Sequence, residues 1–294
     1  MRRRAALAAA LLLLALGARD PSAARAAGRT VPPRIENRTL SVFGQKIHYL
    51  EAGAGRPVIL LHGFGGSAES WRTTMSALAA DFRLFAPDQV GFGASDKPAM
   101  EYSLETLVDF LERFLTVLGL KQADLVGHSM GGRVACLFAL AHPERVSRLA
   151  LLSGTGHRPH FDDEVQSALN FSNLTEARRL LELLYFDDAT YVNDRALEEL
   201  FSRRLRSGTG YTLSRIQESY RRGEGSVDDL SGIGAPTLIV WGMEDEISSV
   251  SGAEKAHRQI ERSQVLMLER CGHLPMVEAR EKLLTALRDF LQAR

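Results

Sequence analysis

The sequence predicts an α/β fold in which a mostly parallel central sheet is flanked by helices. Strand-like and helix-like segments alternate along most of the 294-residue chain. Several strand candidates are unbroken apolar runs, such as residues 149–152, which is typical of strands that helices cover on both faces. A serine between two glycines also stands where one apolar run gives way to a helical pattern. Together these features favour a doubly covered sheet with a functional turn at its edge.

The elements follow one another in the order that such a sheet requires. A lead-in hairpin is predicted within residues 40–51, because two strand-like segments flank the turn at Phe43 and Gly44. After it, the predicted strands are residues 58–61, 83–87, 124–127, 149–153, 236–242 and 264–268. The predicted helices between and after them are residues 71–80, 104–118, 132–141 and 278–291.

The pattern changes between residues 157 and 233, where no strand signal occurs. Apolar residues recur there at helical spacing among many charges. We therefore predict a helical cap over 157–233, inserted between the core segments 27–156 and 234–294. A helical outgrowth packed away from the site is the alternative. The aromatic candidates for a pocket lining, which suit a helical core equally well, are Phe161, Phe171, Tyr185, Phe186 and Tyr211.

The N-terminus is typical of an export signal. Three arginines precede an apolar run over residues 5–18, which is short for a membrane span. Ala24-Arg25-Ala26 resembles a signal-peptidase site. We predict a signal peptide over 1–26, export to the periplasm or the medium, and no stable membrane span after processing. An uncleaved N-terminal membrane anchor is the alternative.

The composition limits the classes of partner and cofactor that the sequence suggests. The 36 basic residues balance 36 acidic ones, so the charge gives no reason to expect nucleic acid as a partner. No metal is predicted, because no cysteine or acidic cluster completes a site with the histidine pair His157 and His160. No organic cofactor is predicted either. The sequence leaves open whether Cys136 and Cys271 form a disulfide, and it leaves the oligomeric state open as well.

The most informative stretch is Gly127-His128-Ser129-Met130-Gly131. A serine on a sharp strand-to-helix turn leaves no room for side chains at the flanking glycines. The following helix directs its free N–H groups at a centre where negative charge can develop. Ser129 is therefore the candidate nucleophile, whereas the backbone position of His128 is expected to turn its ring away from Ser129.

A serine hydroxyl needs a base, and the base needs an orienting acid. His273 follows the last predicted strand in a short loop and is the candidate base. Three carboxylates, Glu244, Asp245 and Glu246, follow the strand at 236–242, at the sheet edge where catalytic groups gather. Their local pattern alone does not single out one of them.

Two backbone N–H groups are candidates for stabilising an oxyanion. One belongs to Met130, directly after the candidate nucleophile. The other belongs to Phe64, in a glycine-rich loop after the strand at 58–61. The glycines of that loop would let its backbone approach a substrate closely.

With these residues in place, the chain resembles the α/β-hydrolase superfamily over residues 40–291. Its pattern is most similar to esterases, carbon–carbon bond hydrolases and cofactor-free perhydrolases. The resemblance implies that Asp245 is the acid, because of its spacing from Trp241 and Gly242, and that Asp88 lies in a turn. The blocks that carry the resemblance are residues 62–65 (HGFG), 88–95 (DQVGFGAS), 127–132 (GHSMGG), 241–245 (WGMED) and 272–275 (GHLP).

The resemblance implies a hydrolase with a Ser129–His273–Asp245 triad that acts on a small-molecule carboxylic ester of small to medium, apolar character. The first alternatives are a carbon–carbon bond hydrolase of meta-cleavage type and a cofactor-free perhydrolase, both with the same triad. A non-catalytic ligand-binding protein of the same fold is the alternative from another class.

Overall fold

The computed structural model describes residues 34–158 and 161–293 and confirms the α/β architecture. The predicted signal peptide at 1–26 lies outside these residues, so export stays a prediction. Within the described ranges, no helix combines the length and the apolar character that crossing a membrane requires.

Eight strands form a single sheet. They are β1 (Glu36–Val42), β2 (Gln45–Ala52), β3 (Pro57–Leu61), β4 (Arg83–Pro87), β5 (Ala123–His128), β6 (Val146–Leu152), β7 (Thr237–Gly242) and β8 (Ser263–Leu268). Their spatial order is β1-β2-β4-β3-β5-β6-β7-β8. The hairpin β1–β2 joins β4 in antiparallel fashion, and the strands from β4 to β8 are all parallel.

Eleven α-helices occur in the described ranges. They are α1 (Arg72–Leu78), α2 (Leu104–Val117), α3 (Met130–Ala141), α4 (Asp163–Leu169), α5 (Leu174–Leu184), α6 (Asp188–Tyr191), α7 (Asp194–Ser207), α8 (Gly210–Arg222), α9 (Ser251–Gln259), α10 (Pro275–Glu278) and α11 (Arg280–Gln292). The single helix predicted over 278–291 is wrong at its start. The backbone leaves helical geometry at Ala279 (φ −122°, ψ 35°), which separates α10 from α11.

The sheet is covered on both faces because side chains alternate along each strand. Ile59 and Leu61 of β3 pack into one core, whereas Val58 and Leu60 of the same strand pack into the other. The first core contains α2, α3 and α9, and the second contains α1 and α11. The interior strands are buried almost along their whole length, as their unbroken apolar runs predicted.

Five helices, α4 to α8, lie between β6 and β7, in the segment that the sequence assigned to a cap. Apolar side chains of α4, α5 and α7 form a separate cluster that reaches Ile247 after β7. In contrast, Leu213 and Ile216 of α8 pack into the main core beside α2 and α3. The segment therefore packs against the core in two places, at Ile247 and through α8.

The turn between β5 and α3 has no space for side chains at its glycines, as expected. A Cβ at Gly127 would lie 2.3 Å from the Gly131 carbonyl oxygen, and a Cβ at Gly131 would lie 2.2 Å from the carbonyl oxygen of Leu61. Backbone atoms cannot yield as flexible side chains do. The sharp turn that presents Ser129 therefore depends on these two glycines.

We expect Gly127→Ala to lower the free energy of unfolding by about 2–3 kcal/mol, because the added methyl group overpacks backbone against backbone. Urea unfolding followed by circular dichroism measures the change. Gly234→Ala is the matched control, since a Cβ there meets nothing within 4 Å. Equal stability changes in the two variants would show that the turn tolerates a side chain.

Candidate active site

Ser129 stands at the N-terminus of α3 in a strained backbone conformation, with φ 53° and ψ −117°. Strain of this kind in a non-glycine residue costs about 1–3 kcal/mol and must be held by its surroundings. Here the Ser129 N–H donates to the Leu152 carbonyl at 2.8 Å. The side chain makes no helix-capping bond, and its Oγ lies 2.9 Å from His273 Nε2 instead. The strain thus leaves the hydroxyl free for the histidine.

His273 is buried, at 3% exposure, in the loop between β8 and α10. Its Nδ1 lies 2.9 Å from Asp245 Oδ2. An ionised carboxylate can only accept a hydrogen bond, so Nδ1 carries the proton and donates it to Asp245. Nε2 is then the acceptor for the Ser129 hydroxyl. The geometry assigns the tautomer that a general base requires.

The structure shows which of the three neighbouring carboxylates contacts His273, a choice that the sequence pattern left open. Asp245, whose side chain is fully buried, faces His273 and also accepts from the Ile247 N–H at 3.0 Å. Glu244 instead accepts from the Cys271 N–H at 2.9 Å, and Glu246 is exposed. The residues that meet are therefore Ser129, His273 and Asp245.

A carboxylate that the sequence analysis missed holds the loop of His273. Glu278 Oε2 accepts from the Gly272 N–H at 2.8 Å, while its Oε1 accepts from the Phe186 and Asp187 N–H groups at 2.9 and 3.1 Å. The His273 N–H donates to the Leu184 carbonyl at 2.9 Å. Glu278 therefore joins the histidine loop to the end of α5. The one sequence feature that could have pointed to Glu278 is its position as an acidic residue in the first turn of a helix.

His128 supports the same loop from the other side. Its Nε2 donates to the His273 carbonyl at 2.8 Å. Burial, followed by the charge of His273, lowers the pKa of His128 from 6.5 to about 3, so the ring is neutral at physiological pH. His128 is therefore a fixed hydrogen-bond donor that positions the loop.

The glycine-rich loop after β3 is fixed by His62. The His62 Nδ1–H donates to the Gly63 carbonyl at 2.8 Å, and Nε2 accepts from the Gln89 N–H at 3.1 Å. Burial lowers the pKa of His62, which favours this neutral form. Phe64 and Met130 line the same cavity as Ser129. Neither of their backbone N–H groups donates to another group in the described part of the chain.

Ser129 and His273 open into a cavity of about 970 Å³ between the core and the helices α4 to α8. Of the predicted aromatic candidates, Phe161, Phe171 and Tyr185 line this cavity. Phe186 and Tyr211 do not, and they are 38% and 50% exposed. The helical spacing could not distinguish these two groups.

The cavity wall is strongly cationic. Glu199 is the one carboxylate among its described lining residues. No sequence pattern marks these arginines, because four of them are scattered over the charged segment 157–233 and one lies on α3. The arginines that line the cavity are Arg133, Arg158, Arg203, Arg204 and Arg221.

The other candidate residues from the sequence are two cysteines and a histidine pair. Cys136 and Cys271 are both free, buried thiols, and burial raises the pKa of each to about 12. His157 bonds to Thr155 and Gln259, and His160 lies outside the described residues. In residues 34–158 and 161–293, no three His, Cys, Asp or Glu side chains are grouped as metal ligands.

Comparison with known proteins gives consistent matches. Residues 56–279 match the profile of the alpha/beta hydrolase fold. The chain is 31% identical to 2-hydroxymuconate semialdehyde hydrolase of Pseudomonas sp. (strain CF600), over 86% of this chain and 93% of that protein. A solved meta-cleavage product hydrolase from Pseudomonas fluorescens IP01 matches with a TM-score of 0.81 and 28% identity, over 86% of this chain and 97% of that one. A solved membrane phospholipase A, titled a bacterial virulence factor, matches with a TM-score of 0.80 and 29% identity, over 87% of this chain and 86% of that one.

We expect Glu278→Gln to slow the reaction of Ser129 with a fluorophosphonate by about 10- to 100-fold, because a displaced histidine base loses its near-attack geometry. An amide has one acceptor oxygen, so it cannot hold both Gly272 and Phe186. Mass spectrometry of the labelled protein measures the rate. Glu246→Gln is the control, and an unchanged rate in Glu278→Gln would exclude a positioning role.

His128 makes stability depend on pH. Its folded pKa of about 3 lies below the usual 6.5, so the stability it contributes is present above pH 6.5 and is lost as the pH falls towards 3. We expect His128→Gln to reduce the acid-side slope of unfolding free energy by about 1.4 kcal/mol per pH unit. Urea unfolding from pH 7 to pH 5 measures this slope. The exposed His257→Gln serves as the control, and identical slopes in both variants would contradict the assignment.

Proposed function

We propose that this chain, which belongs to the α/β-hydrolase family, is a serine hydrolase that cleaves a carbon–carbon bond beside the ketone of an acidic, conjugated substrate. The carrying observation is the alignment of Ser129, His273 and Asp245 at 2.9 Å for each contact, beneath a cavity with arginine-lined walls. The substrate class is that of meta-cleavage products.

The first step is attack by Ser129 Oγ on the substrate ketone. His273 Nε2 takes the hydroxyl proton as the new carbon–oxygen bond forms. The resulting imidazolium lies against the buried carboxylate of Asp245, whose position is fixed by two backbone N–H groups. Because Asp245 is desolvated and held, its charge stabilises the imidazolium without reorganisation.

The tetrahedral oxyanion would be stabilised by the N–H groups of Phe64 and Met130. Both residues line the cavity at Ser129, and both amides lack a protein acceptor among the described residues. Met130 is also the first residue of α3, so the positive end of the helix dipole faces the developing charge. One such donor is worth about 3 kcal/mol of barrier.

Cleavage proceeds from the keto tautomer of the substrate, in which the enol proton has moved to the chain carbon beside the ketone and made that carbon saturated. Collapse of the tetrahedral intermediate breaks the bond between the former ketone carbon and this carbon. The electron pair passes through the adjacent carbon–carbon double bond to the remaining oxo group as a dienolate, and the His273 imidazolium supplies the proton that the departing dienolate needs. An acyl group remains on Ser129. Water, deprotonated by His273, then releases it as a carboxylic acid, so one water is consumed for one bond cleaved.

Two observations favour this reaction over hydrolysis of a small apolar ester, which the sequence analysis placed first. Two relatives, at 31% and 28% identity, are named as a 2-hydroxymuconate semialdehyde hydrolase and a meta-cleavage product hydrolase. A neutral ester also gives no reason for Arg133, whose buried Nε and Nη1 have no partner among the described residues, to line the cavity. An anionic substrate does.

Carboxylic-ester hydrolysis is the second candidate. The triad geometry serves both reactions, and the phospholipase A match has a TM-score of 0.80. Perhydrolysis and ligand binding without turnover have no specific contact in their favour within the described residues, and we do not propose them.

We expect the purified protein to cleave a 2-hydroxy-6-oxo-dienoate, and the loss of the substrate's dienolate absorbance measures the rate. The kcat/KM for this substrate should exceed the kcat/KM for p-nitrophenyl esters from acetate to palmitate. Ser129→Ala should lower kcat by about a millionfold, because the covalent route is lost. Ester turnover without dienoate turnover would transfer the assignment to an esterase. Turnover retained by Ser129→Ala would contradict both candidates.

A further inference from the structure

One arginine of the cavity wall differs from the others. Arg133 lies on α3, four residues after Ser129, and is 5% exposed. Residues four apart share one face of an α-helix and are separated by about 6 Å along its axis. Arg133 is therefore placed one helical turn behind the candidate nucleophile, within the span of a small substrate.

No carboxylate in residues 34–158 and 161–293 forms an ion pair with the guanidinium of Arg133. Nη2 donates to Ser226 Oγ at 3.1 Å and, weakly, to the Gly225 carbonyl at 3.4 Å. Nε and Nη1 are buried without any hydrogen-bond partner in the described structure. Glu105 is the acidic group that acts on Arg133 at a distance, but its carboxylate accepts from the Gly225 N–H.

A buried charge that is not fully bonded is costly, so its retention needs an explanation. The face of Tyr220, 4.5 Å from the guanidinium carbon, gives partial compensation as a cation–π contact. Burial lowers the pKa of Arg133, yet a guanidinium stays protonated at neutral pH. The charge is therefore present and its hydrogen bonds are incomplete.

The other four arginines of the wall have partners or are exposed. Arg158 is exposed and donates to the Arg221 carbonyl at 3.0 Å. Arg203 pairs with Glu199 at 2.8 Å, and Arg221 pairs with Glu218. Arg204 is half-buried and donates to the Leu169 carbonyl at 2.7 Å. None of these is buried with free donors, whereas Arg133 is.

The cavity reaches Arg133 between α3 and α8, because Leu213, Gln217 and Tyr220 of α8 line the same cavity. The nucleophile and this unpaired cation therefore line the same cavity. A carboxylate in a site of low dielectric forms a strong, charge-assisted hydrogen bond with such a group.

We propose that Arg133 binds a carboxylate at the end of the substrate remote from the scissile carbonyl, and that this contact makes the site selective for acyl compounds that bear such an acid. The inference rests on the proposed function only in taking Ser129 as the nucleophile. It applies equally to a conjugated keto acid and to the monoester of a dicarboxylic acid.

The test compares two chromogenic esters of equal acyl length, p-nitrophenyl butyrate and the p-nitrophenyl monoester of succinic acid. We expect Arg133→Met to raise KM for the succinate monoester by about 10- to 100-fold, the worth of a hydrogen bond to a charged group, with little effect on the butyrate. Arg133→Lys should recover part of the loss because it retains the charge. Equal losses on both esters, or no loss on either, would overturn the inference.

Arg215→Met is the matched control, since Arg215 lies on α8, pairs with Glu101 at 2.7 Å and does not line the cavity. A second measurement does not depend on turnover. In Ser129→Ala, glutarate should raise the melting temperature, and this increase should vanish when Arg133→Met is added. If no substrate is turned over but glutarate still stabilises through Arg133, the proposed function fails and this inference stands. Absence of the glutarate effect in Ser129→Ala would overturn it.

Discussion

The site depends on how the short loop around His273 is held. Each backbone N–H from residue 271 to 273 has a partner, and the partners are the carboxylates of Glu244 and Glu278 and the carbonyl of Leu184. The carbonyl of His273 accepts from His128. Because the backbone of the loop is held at these points, the imidazole is placed where it can bond to both Asp245 and Ser129. One of these supports, the Leu184 carbonyl, comes from α5, and Glu278 is itself held by the N–H groups of Phe186 and Asp187, so the segment above the site also positions its base.

The sheet explains why these residues can meet at all. Parallel strands end at one edge, and the chain turns after β3, β5, β7 and β8 supply the glycine-rich loop, Ser129, Asp245 and His273 in turn. Strand β5 has a double role, since its last residue, His128, supports the histidine loop while the next residue is Ser129. The strand that presents the nucleophile thus also contacts the loop that carries the base.

Much of this could be predicted from sequence because it is local. The strand, the turn glycines and Ser129 lie within a few residues of one another, and the structure bears out both the elements and the crowded glycines. The choice of Asp245 among three carboxylates required a resemblance, since only the folded chain shows that Glu244 is used by Cys271. Helix α9 escaped prediction because its buried face consists of Ala253 and Ala256, which give a weak apolar period.

The residues that were missed act over long sequence separations. Glu278 meets Phe186 across 92 residues, Arg133 meets Ser226 across 93, and His128 meets His273 across 145. No periodicity or motif encodes such contacts, because they arise from packing of the core against the helices above it. The specificity of the site therefore depends on the part of the structure that the sequence pattern describes least.

His273, held against Asp245, is what makes Ser129 a nucleophile in the proposed reaction. The most direct measurement is the rate at which a fluorophosphonate labels each serine, followed by peptide mass spectrometry, in the wild-type protein and in His273→Gln. We expect a label confined to Ser129, with a rate reduced by about 10²- to 10⁴-fold in the variant. A label on another serine, or an equal rate in both proteins, would contradict it.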